Sequence, residues 1–270
     1  MGRILIAGSR TFDAGTLEAS TAVAANYPLS NLLDLQPGRK ARFSTPAAVH
    51  IEGDLGSAQP LTFAVVIGHN LSAAATVRLR LADTQGDLTA DPDFDSGAVD
   101  AYPASGKPPG EVQHSLLSFA EQSYRWWRID IADSGNPDGY VQIGRVILAE
   151  AFAPSVNIDF GGGIGIIDPS PIDEGVAGHL HPLQRPTHRV QTLPFRLQTK
   201  ADLFHVRRGI YQLQLTHGAS RDVFVVQNPE ETTFLHCEML HGLMRGTTSP
   251  FINDFFQRYS FSLRIEELVA

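Results

Sequence analysis

The stretch from Arg125 to Asp133 reads RWWRIDIAD, and its apolar side chains alternate with polar ones. The side chains that would share one face of an extended chain are Trp127, Ile129 and Ile131. The opposite face would carry Trp126, Arg128 and Asp130. Alternation with a period of two is typical of a strand that has one face in the core and the other in water. The stretch therefore predicts a half-buried strand of an antiparallel sheet.

The same alternation recurs elsewhere in the chain. It appears in TVRLRLAD (residues 76–83) and in FFQRYSFSLRIEEL (residues 255–268). Glycine and proline, with 24 and 17 residues, separate such segments, as turns require. The pattern predicts a mainly β protein with two β-rich halves.

Helical patterns are scarce, and the best one is TKADLFHVRRGIYQLQLTHG (residues 199–218). Apolar residues recur there at intervals of three or four, Thr199 with Asp202 resembles a capping box, and Gly218 suits a C-terminal cap. We expect one helix near 200–217. A shorter helical turn is expected in LSNLLDL (residues 29–35), with Ser30 as its cap.

Composition excludes several classes of function. The net charge of the 270-residue chain is −8, whereas nucleic-acid binders present a basic face, so we expect no nucleic-acid partner. The chain has no run of about 18 apolar residues and no secretory leader pattern, so we expect no membrane insertion and synthesis in the cytoplasm. Its one cysteine, Cys237, lies in an apolar run and is expected to be a buried thiol.

A change in composition divides the chain. Residues 159–186 read DFGGGIGIIDPSPIDEGVAGHLHPLQRP and are rich in glycine and proline. We therefore expect a β-sandwich over residues 1–152, an irregular arm or linker over 153–189, and a β-rich domain with one helix over 190–270.

The first half resembles a known family. The segments that carry the resemblance are NYPLSNLLD (26–34), VVIGHNLS (65–72), TVRLRLADT (76–84) and above all RIDIADSGNPDGYVQIGRVIL (128–148). Over about residues 24–152 they resemble the discoidin-like, or galactose-binding-like, jelly-roll domain of phage tail proteins. RDVFVVQNPEE (221–231) and the closing strand are similar, more weakly, to C-terminal modules of siphophage tail-tip proteins.

This resemblance implies a structural role. We expect a subunit of the tip of a long non-contractile phage tail, located in the virion, which joins tail tube to tip or adhesion apparatus. The expected partners are other copies in a ring, the tail tube and tail-tip or hub proteins. The glycine-rich arm could add a strand to a neighbour's sheet edge. The alternative is a carbohydrate-binding module that recognises host surface polysaccharide through the rim of the sandwich.

Four residues are candidate contacts for a glycan or a subunit interface: His69, Asn70, Trp126 and Arg128. The resemblance places His69 and Asn70 where a core strand leaves the sandwich, so their side chains are expected to satisfy backbone groups at a turn. A sugar-binding pair at the rim is the alternative. Because Trp127 shares its face with core residues, Trp126 is expected to point outward as a contact or a sugar platform.

Three further patterns suggest ligands, and a simpler interpretation is favoured for each. The glycines of FGGGIGIIDPS (160–170) precede prolines rather than the helix of a phosphate loop. Asp91, Asp93 and Asp95 resemble the start of a calcium loop whose glycine comes one place late. The histidines of HLHPLQRPTH (179–188) suit zinc or a polar surface. We expect no metal, no cofactor and no catalysis, since no convincing carboxylate pair is present.

Overall fold

The structure is a computed structural model that describes residues 2–103, 106, 113–174, 176, 178–245 and 251–269. In chain order the strands are β1 (Leu5–Gly8), β2 (Thr16–Ser20), β3 (Ala41–Phe43), β4 (Val49–Ile67), β5 (Thr76–Ala82), β6 (Phe94–Asp95), β7 (Val99–Asp100), β8 (His114–Ala132), β9 (Val141–Ile143), β10 (Arg145–Ala149), β11 (Gly163–Ile167), β12 (Ile172–Glu174), β13 (Leu180–Pro182), β14 (His188–Thr199), β15 (Asp222–Val226), β16 (Met239–Met244), β17 (Ile252–Phe255) and β18 (Arg258–Glu267). The helices are α1 (Arg10–Asp13), α2 (Asp87–Ala90), α3 (Lys200–Phe204), α4 (Ile210–His217) and α5 (Leu235–Glu238), with a 3-10 helix at Leu29–Leu33.

The N-terminal half is a sandwich around one apolar core. Its main sheet has the strand order β10-β4-β8-β5-β6, all antiparallel, with β2 also paired to β4 and β7 to β5. The small sheet β3-β9 contributes to the same core. Trp127, Ile129 and Ile131 are buried in that core as their alternation predicts. The predicted fold class, mainly β with an N-terminal sandwich and a C-terminal α+β part, is confirmed.

The C-terminal sheet has the strand order β1-β15-β16-β18-β14-β11, with β17 paired to β18. Its first strand comes from the N-terminus: Leu5 pairs with Val226 and Gly8 with Val223. The range 1–152 expected for the sandwich therefore contains one strand that is hydrogen-bonded into the other sheet.

The two sheets pack against each other through an apolar layer. In the run FAVVI of β4, Phe63, Val65 and Ile67 face this layer, whereas Ala64 and Val66 face the sandwich core. The rings of Phe63 and Phe224 meet at 5.6 Å between centroids. Because β4 is buried on both faces here, its sequence is continuously apolar rather than alternating.

A buried ion network joins the halves next to this apolar layer. Arg145 of β10, whose side chain is fully buried, donates to Asp222 of β15 at 2.5 and 3.0 Å and to Asp13 of α1 at 2.9 and 3.0 Å. His241 donates to Asp222 at 2.8 Å. Burial raises the pKa of Asp222, but the hydrogen bond from His241 and the Arg145 charge outweigh it and hold that pKa well below its usual range.

The single helix expected near 200–217 is instead two helices, α3 and α4. The predicted capping box is present, with Asp202 N–H donating to Thr199 Oγ1 at 3.1 Å. The helix stops because His205 takes an extended conformation and its Nδ1 accepts from the amides of Arg207 and Arg208 at 3.3 and 3.4 Å. Gly209 then begins α4.

Two smaller expectations are wrong. Cys237 is exposed rather than buried, because it lies in the short helix α5 on the surface. The helical turn predicted in LSNLLDL does form, as the 3-10 helix, but Pro28 and not Ser30 occupies the cap position. The extended backbone that precedes a helix suits proline, which therefore replaces the hydroxyl cap.

Candidate binding surfaces

His69 lies inside the corner that follows β4. Gly68 turns the chain with a φ of 66°, and His69 is then only 4% exposed. Its Nε2 lies 2.8 Å from Ser115 Oγ, and its ring meets the ring of Tyr102 edge-on at 5.5 Å. The imidazole is therefore part of the packed corner.

Asn70 joins that corner to the loop before β9. Its Nδ2 donates to Asp138 Oδ2 at 2.7 Å and to the Tyr140 carbonyl at 3.1 Å, while its Oδ1 accepts from the Gln142 amide at 2.7 Å. These bonds satisfy backbone groups at a turn, as the sequence suggests. The side-chain amide holds the loop in place.

Arg128 lies on the outward face of the sandwich sheet within a ladder of charges. Its guanidinium donates to Asp130 and Glu52, each at 2.7 Å, and to Thr89 at 3.1 Å. Arg80 also pairs with Asp130 at 3.2 Å. Arg128 is therefore oriented by one carboxylate on its own strand, Asp130, and one on the neighbouring strand β4, Glu52.

Trp126 points outward from the same face, as its alternation with Trp127 predicts. It is half-buried, whereas Trp127 is 1% exposed in the core. The guanidinium of Arg125 lies 5.3 Å from the centre of the Trp126 ring and binds Asp54 at 2.7 and 2.6 Å. One arginine thus covers part of the indole surface.

A shallow groove lies further along this face and begins at Arg128, two residues after Trp126 on β8. Its volume is about 240 Å³, and its lining includes His50, Thr76, Arg78, Arg80, Arg128 and Asp130. Asp95 binds Arg78 beside the groove, and the hydrogen bond from that guanidinium lowers the pKa of Asp95 to about 2. The face therefore carries fixed donors and acceptors beside one aromatic ring.

The second candidate surface is residues 160–187, the central part of the expected arm segment 153–189, and it is called the arm below. Its glycines lead into β11, which pairs with β14 on the edge of the C-terminal sheet. The arm continues into the hairpin β12–β13, and all residues of these two strands are exposed. Its most exposed apolar side chains include Phe160 (98%), Ile166 (76%), Ile172 (62%), Leu180 (64%) and Leu183 (61%). Large apolar side chains concentrated on one projection are typical of an interaction surface.

The aspartates that resemble the start of a calcium loop form hydrogen bonds and an ion pair with neighbouring residues. Asp93 accepts from the Asp83 amide at 3.0 Å, and Asp95 is paired with Arg78. Within the described residues, no group of three or more His, Cys, Asp or Glu side chains is arranged to hold a metal ion. In the same part of the chain, no helix is long and apolar enough to cross a membrane.

Sequence reasoning missed the importance of two buried charged residues, Arg145 and Glu150. Both lie in the stretch GRVILAE, where β10 is covered on both faces. A charged residue at each end of an apolar run is the available signal, but it does not distinguish a buried ion from a solvated one. Their partners come from distant segments.

No protein-family model and no curated protein sequence matches the chain. Solved structures that are similar to about half of the chain include carbohydrate-binding modules. A chitosan-binding module of a Paenibacillus sp. IK-5 chitosanase/glucanase has 12% identity and a TM-score of 0.37, over 51% of this chain and 96% of that one. CBM32-3 of a Clostridium perfringens family 31 glycoside hydrolase has 10% identity and a TM-score of 0.41, over 53% and 93%. The family 32 module of C. perfringens NanJ, in complex with galactose, has 12% identity and a TM-score of 0.37, over 53% and 98%.

Proposed function

We propose that this chain is a non-catalytic structural subunit that assembles with other copies of itself through the arm. The observation that carries the proposal is the exposure of the arm: Ile166, Ile172 and Leu180 are each more than 60% exposed on a glycine- and proline-rich projection. Burying one such side chain contributes about 1.5 to 3 kcal/mol. Contact with another chain would recover that free energy.

The geometry of the arm favours assembly into a ring. A projection on one part of the surface that binds a different part of a neighbour makes a head-to-tail contact, and such contacts close into rings when the rotation permits. Together with the sequence resemblance, this supports a subunit of the tip of a long non-contractile phage tail, in the virion. Tail tube and tail-tip proteins would then be its further partners.

The proposal is tested by the mass of the full-length protein in solution. In the variant I166S/I172S/L180S each subunit contact should weaken by at least about a thousandfold, because three buried apolar side chains are lost. Light scattering after size-exclusion chromatography should show multiples of the chain mass for the natural sequence and monomers for the variant.

A matched control is V99S/I252S, since Val99 and Ile252 are 39% and 53% exposed but lie outside the arm. The control should assemble like the natural sequence. Equal loss of assembly in both variants would show that the arm has no special role.

A second candidate function is binding of host surface glycan on the outward face of the sandwich sheet. The observation that favours it is the half-buried Trp126 on the same face of the sheet as a groove with fixed arginine and carboxylate groups. Aromatic rings provide apolar platforms, and polar side chains at fixed positions give orientation. The carbohydrate-binding structures described above correspond to this candidate rather than to the tail role. The two functions are compatible in one subunit.

Titration with host-envelope polysaccharide tests the second candidate. Saturable binding should fall at least about tenfold in W126A, because the platform contributes more than about 1 kcal/mol. F160A, which removes an exposed aromatic ring from the arm, should bind like the natural sequence. Unchanged binding in W126A would exclude this platform, and release of reducing ends from the polysaccharide would contradict the non-catalytic proposal.

A further inference from the structure

The structure contains a cleft between the sandwich and the C-terminal part. Its volume is about 370 Å³, and its lining includes Arg10, Gln59, Glu150, Val206, Arg207 and His217. The segment between α3 and α4 forms one wall, and α1 with the end of β10 forms the other. Both halves of the molecule therefore contribute to it.

The cleft is basic although the protein is acidic overall. Glu150 is nine-tenths buried, and its Oε1 accepts no hydrogen bond within the described residues. Arg207 and Arg208 approach its carboxylate only to 3.6 and 3.9 Å, and each is about half exposed. Arg10 is exposed and forms no ion pair with a described residue. Arg10 and Arg207 thus line the cleft beside one carboxylate, whereas Arg208 does not line it and also approaches Glu121 at 4.0 Å.

The tip of the arm carries acidic side chains, which complement the basic side chains of the cleft. Asp173 and Glu174 on β12 are exposed and form no ion pair with a described residue. Ile172 directly precedes them and is 62% exposed, and Leu180 lies across the hairpin from Glu174. The order along the strand is one apolar side chain followed by two acids.

The wall of the cleft presents the same order with the opposite charge. Val206, which is 79% exposed, is followed by Arg207 and Arg208. We propose that the arm tip of one copy, Ile172–Glu174 with Leu180, docks in the cleft of the next copy, with Asp173 and Glu174 against Arg10 and Arg207. This inference rests on the proposed function and names the surface that receives the arm.

A second copy is the occupant because one chain supplies both complementary surfaces. The acids of the tip form no ion pair with a described residue, and two arginines line the cleft beside one carboxylate. Opposite charges across an interface fix its register and suppress wrong pairings. An acidic saccharide is the competing occupant that the experiment must distinguish.

Charge reversal provides the test in the full-length chain. D173R/E174R and R10E/R207E should each lose assembly, with contacts weakened at least about a hundredfold, because like charges then face each other. Mixing the two variants should restore it: each reversed arm meets a reversed cleft, and each natural arm meets a natural cleft. D91R/D100R carries the same charge change as the arm variant, on the sandwich, and should assemble normally.

The outcomes separate this inference from the proposed function. Restored mass in the mixture, measured by light scattering, supports the inference. Loss of assembly in I166S/I172S/L180S combined with normal assembly of both charge variants would overturn the inference and leave the arm as an interface. A natural sequence that stays monomeric would overturn both. R10E alone breaks no described ion pair and should still weaken assembly. A loss of assembly in this variant is therefore not explained by misfolding. Glucuronate binding to the natural chain, with both charge variants assembling normally, would assign the cleft to a saccharide.

Discussion

At the scale of single residues, Arg145 is a fully buried side chain whose contacts join distant parts of the chain. Its carboxylate partners Asp13 and Asp222 lie 132 and 77 residues away in sequence. It also donates to the carbonyl groups of Leu32 and Asp34 at 3.2 and 3.3 Å. A buried ion with several partners is costly to remove on one side only, since the carboxylates then stay buried without compensation.

We predict that R145M lowers the free energy of unfolding by about 3 to 5 kcal/mol. R78M removes an arginine from the Arg78–Asp95 pair, whose side chains are 36% and 31% exposed, and should cost less than about 1 kcal/mol. Urea unfolding of both variants measures the difference. Similar losses in the two variants would show that the network contributes no more than a surface ion pair.

The candidate site residues illustrate what a sequence can show at this scale. Alternation predicted that Trp127 is buried and Trp126 points outward, since neighbouring residues of a strand face opposite sides. The turn role of His69 and Asn70 was implied by the resemblance to the discoidin-like family, which places them where a core strand leaves the sandwich. The partners of Arg128 and Arg145 could not be predicted, because they depend on which strands become neighbours.

At the scale of elements, the break between α3 and α4 creates one wall of the cleft. The 3.6-residue pattern continues through it, so the sequence indicates one helix. A Cβ atom on Gly209 would lie 2.5 Å from the Leu203 carbonyl oxygen and 2.6 Å from the His205 backbone. The close approach of backbone to backbone at Gly209 depends on how the chain turns between the two helices, which periodicity does not reveal.

We predict that G209A destabilises the protein by about 1 to 3 kcal/mol, because the added methyl group forces the two helices apart. The backbone φ of −72° at Gly209 suits alanine, so the loss is steric rather than conformational. G135A is the control: nothing lies within 4 Å of its Cβ position, and it should change stability by less than about 0.5 kcal/mol. Thermal unfolding that ranks the two variants in the opposite order would contradict this account.

At the scale of the whole molecule, the sequence predicted two β-rich halves but not how they join. Strand β1 belongs to the far sheet, and the run FAVVI is buried on both faces, so the halves share an apolar layer rather than a flexible linker. Composition marked the arm as irregular. The sequence does not show that the apolar side chains of the arm are exposed, because their exposure depends on which other segments pack against them.

The measurement that tests the central claim most directly is sedimentation velocity of the unmodified full-length chain over a range of concentrations. The account predicts that the protein sediments as a closed oligomer of defined size, because the arm and the cleft are complementary surfaces of one chain. Sedimentation as a monomer at every concentration that stays soluble would contradict it.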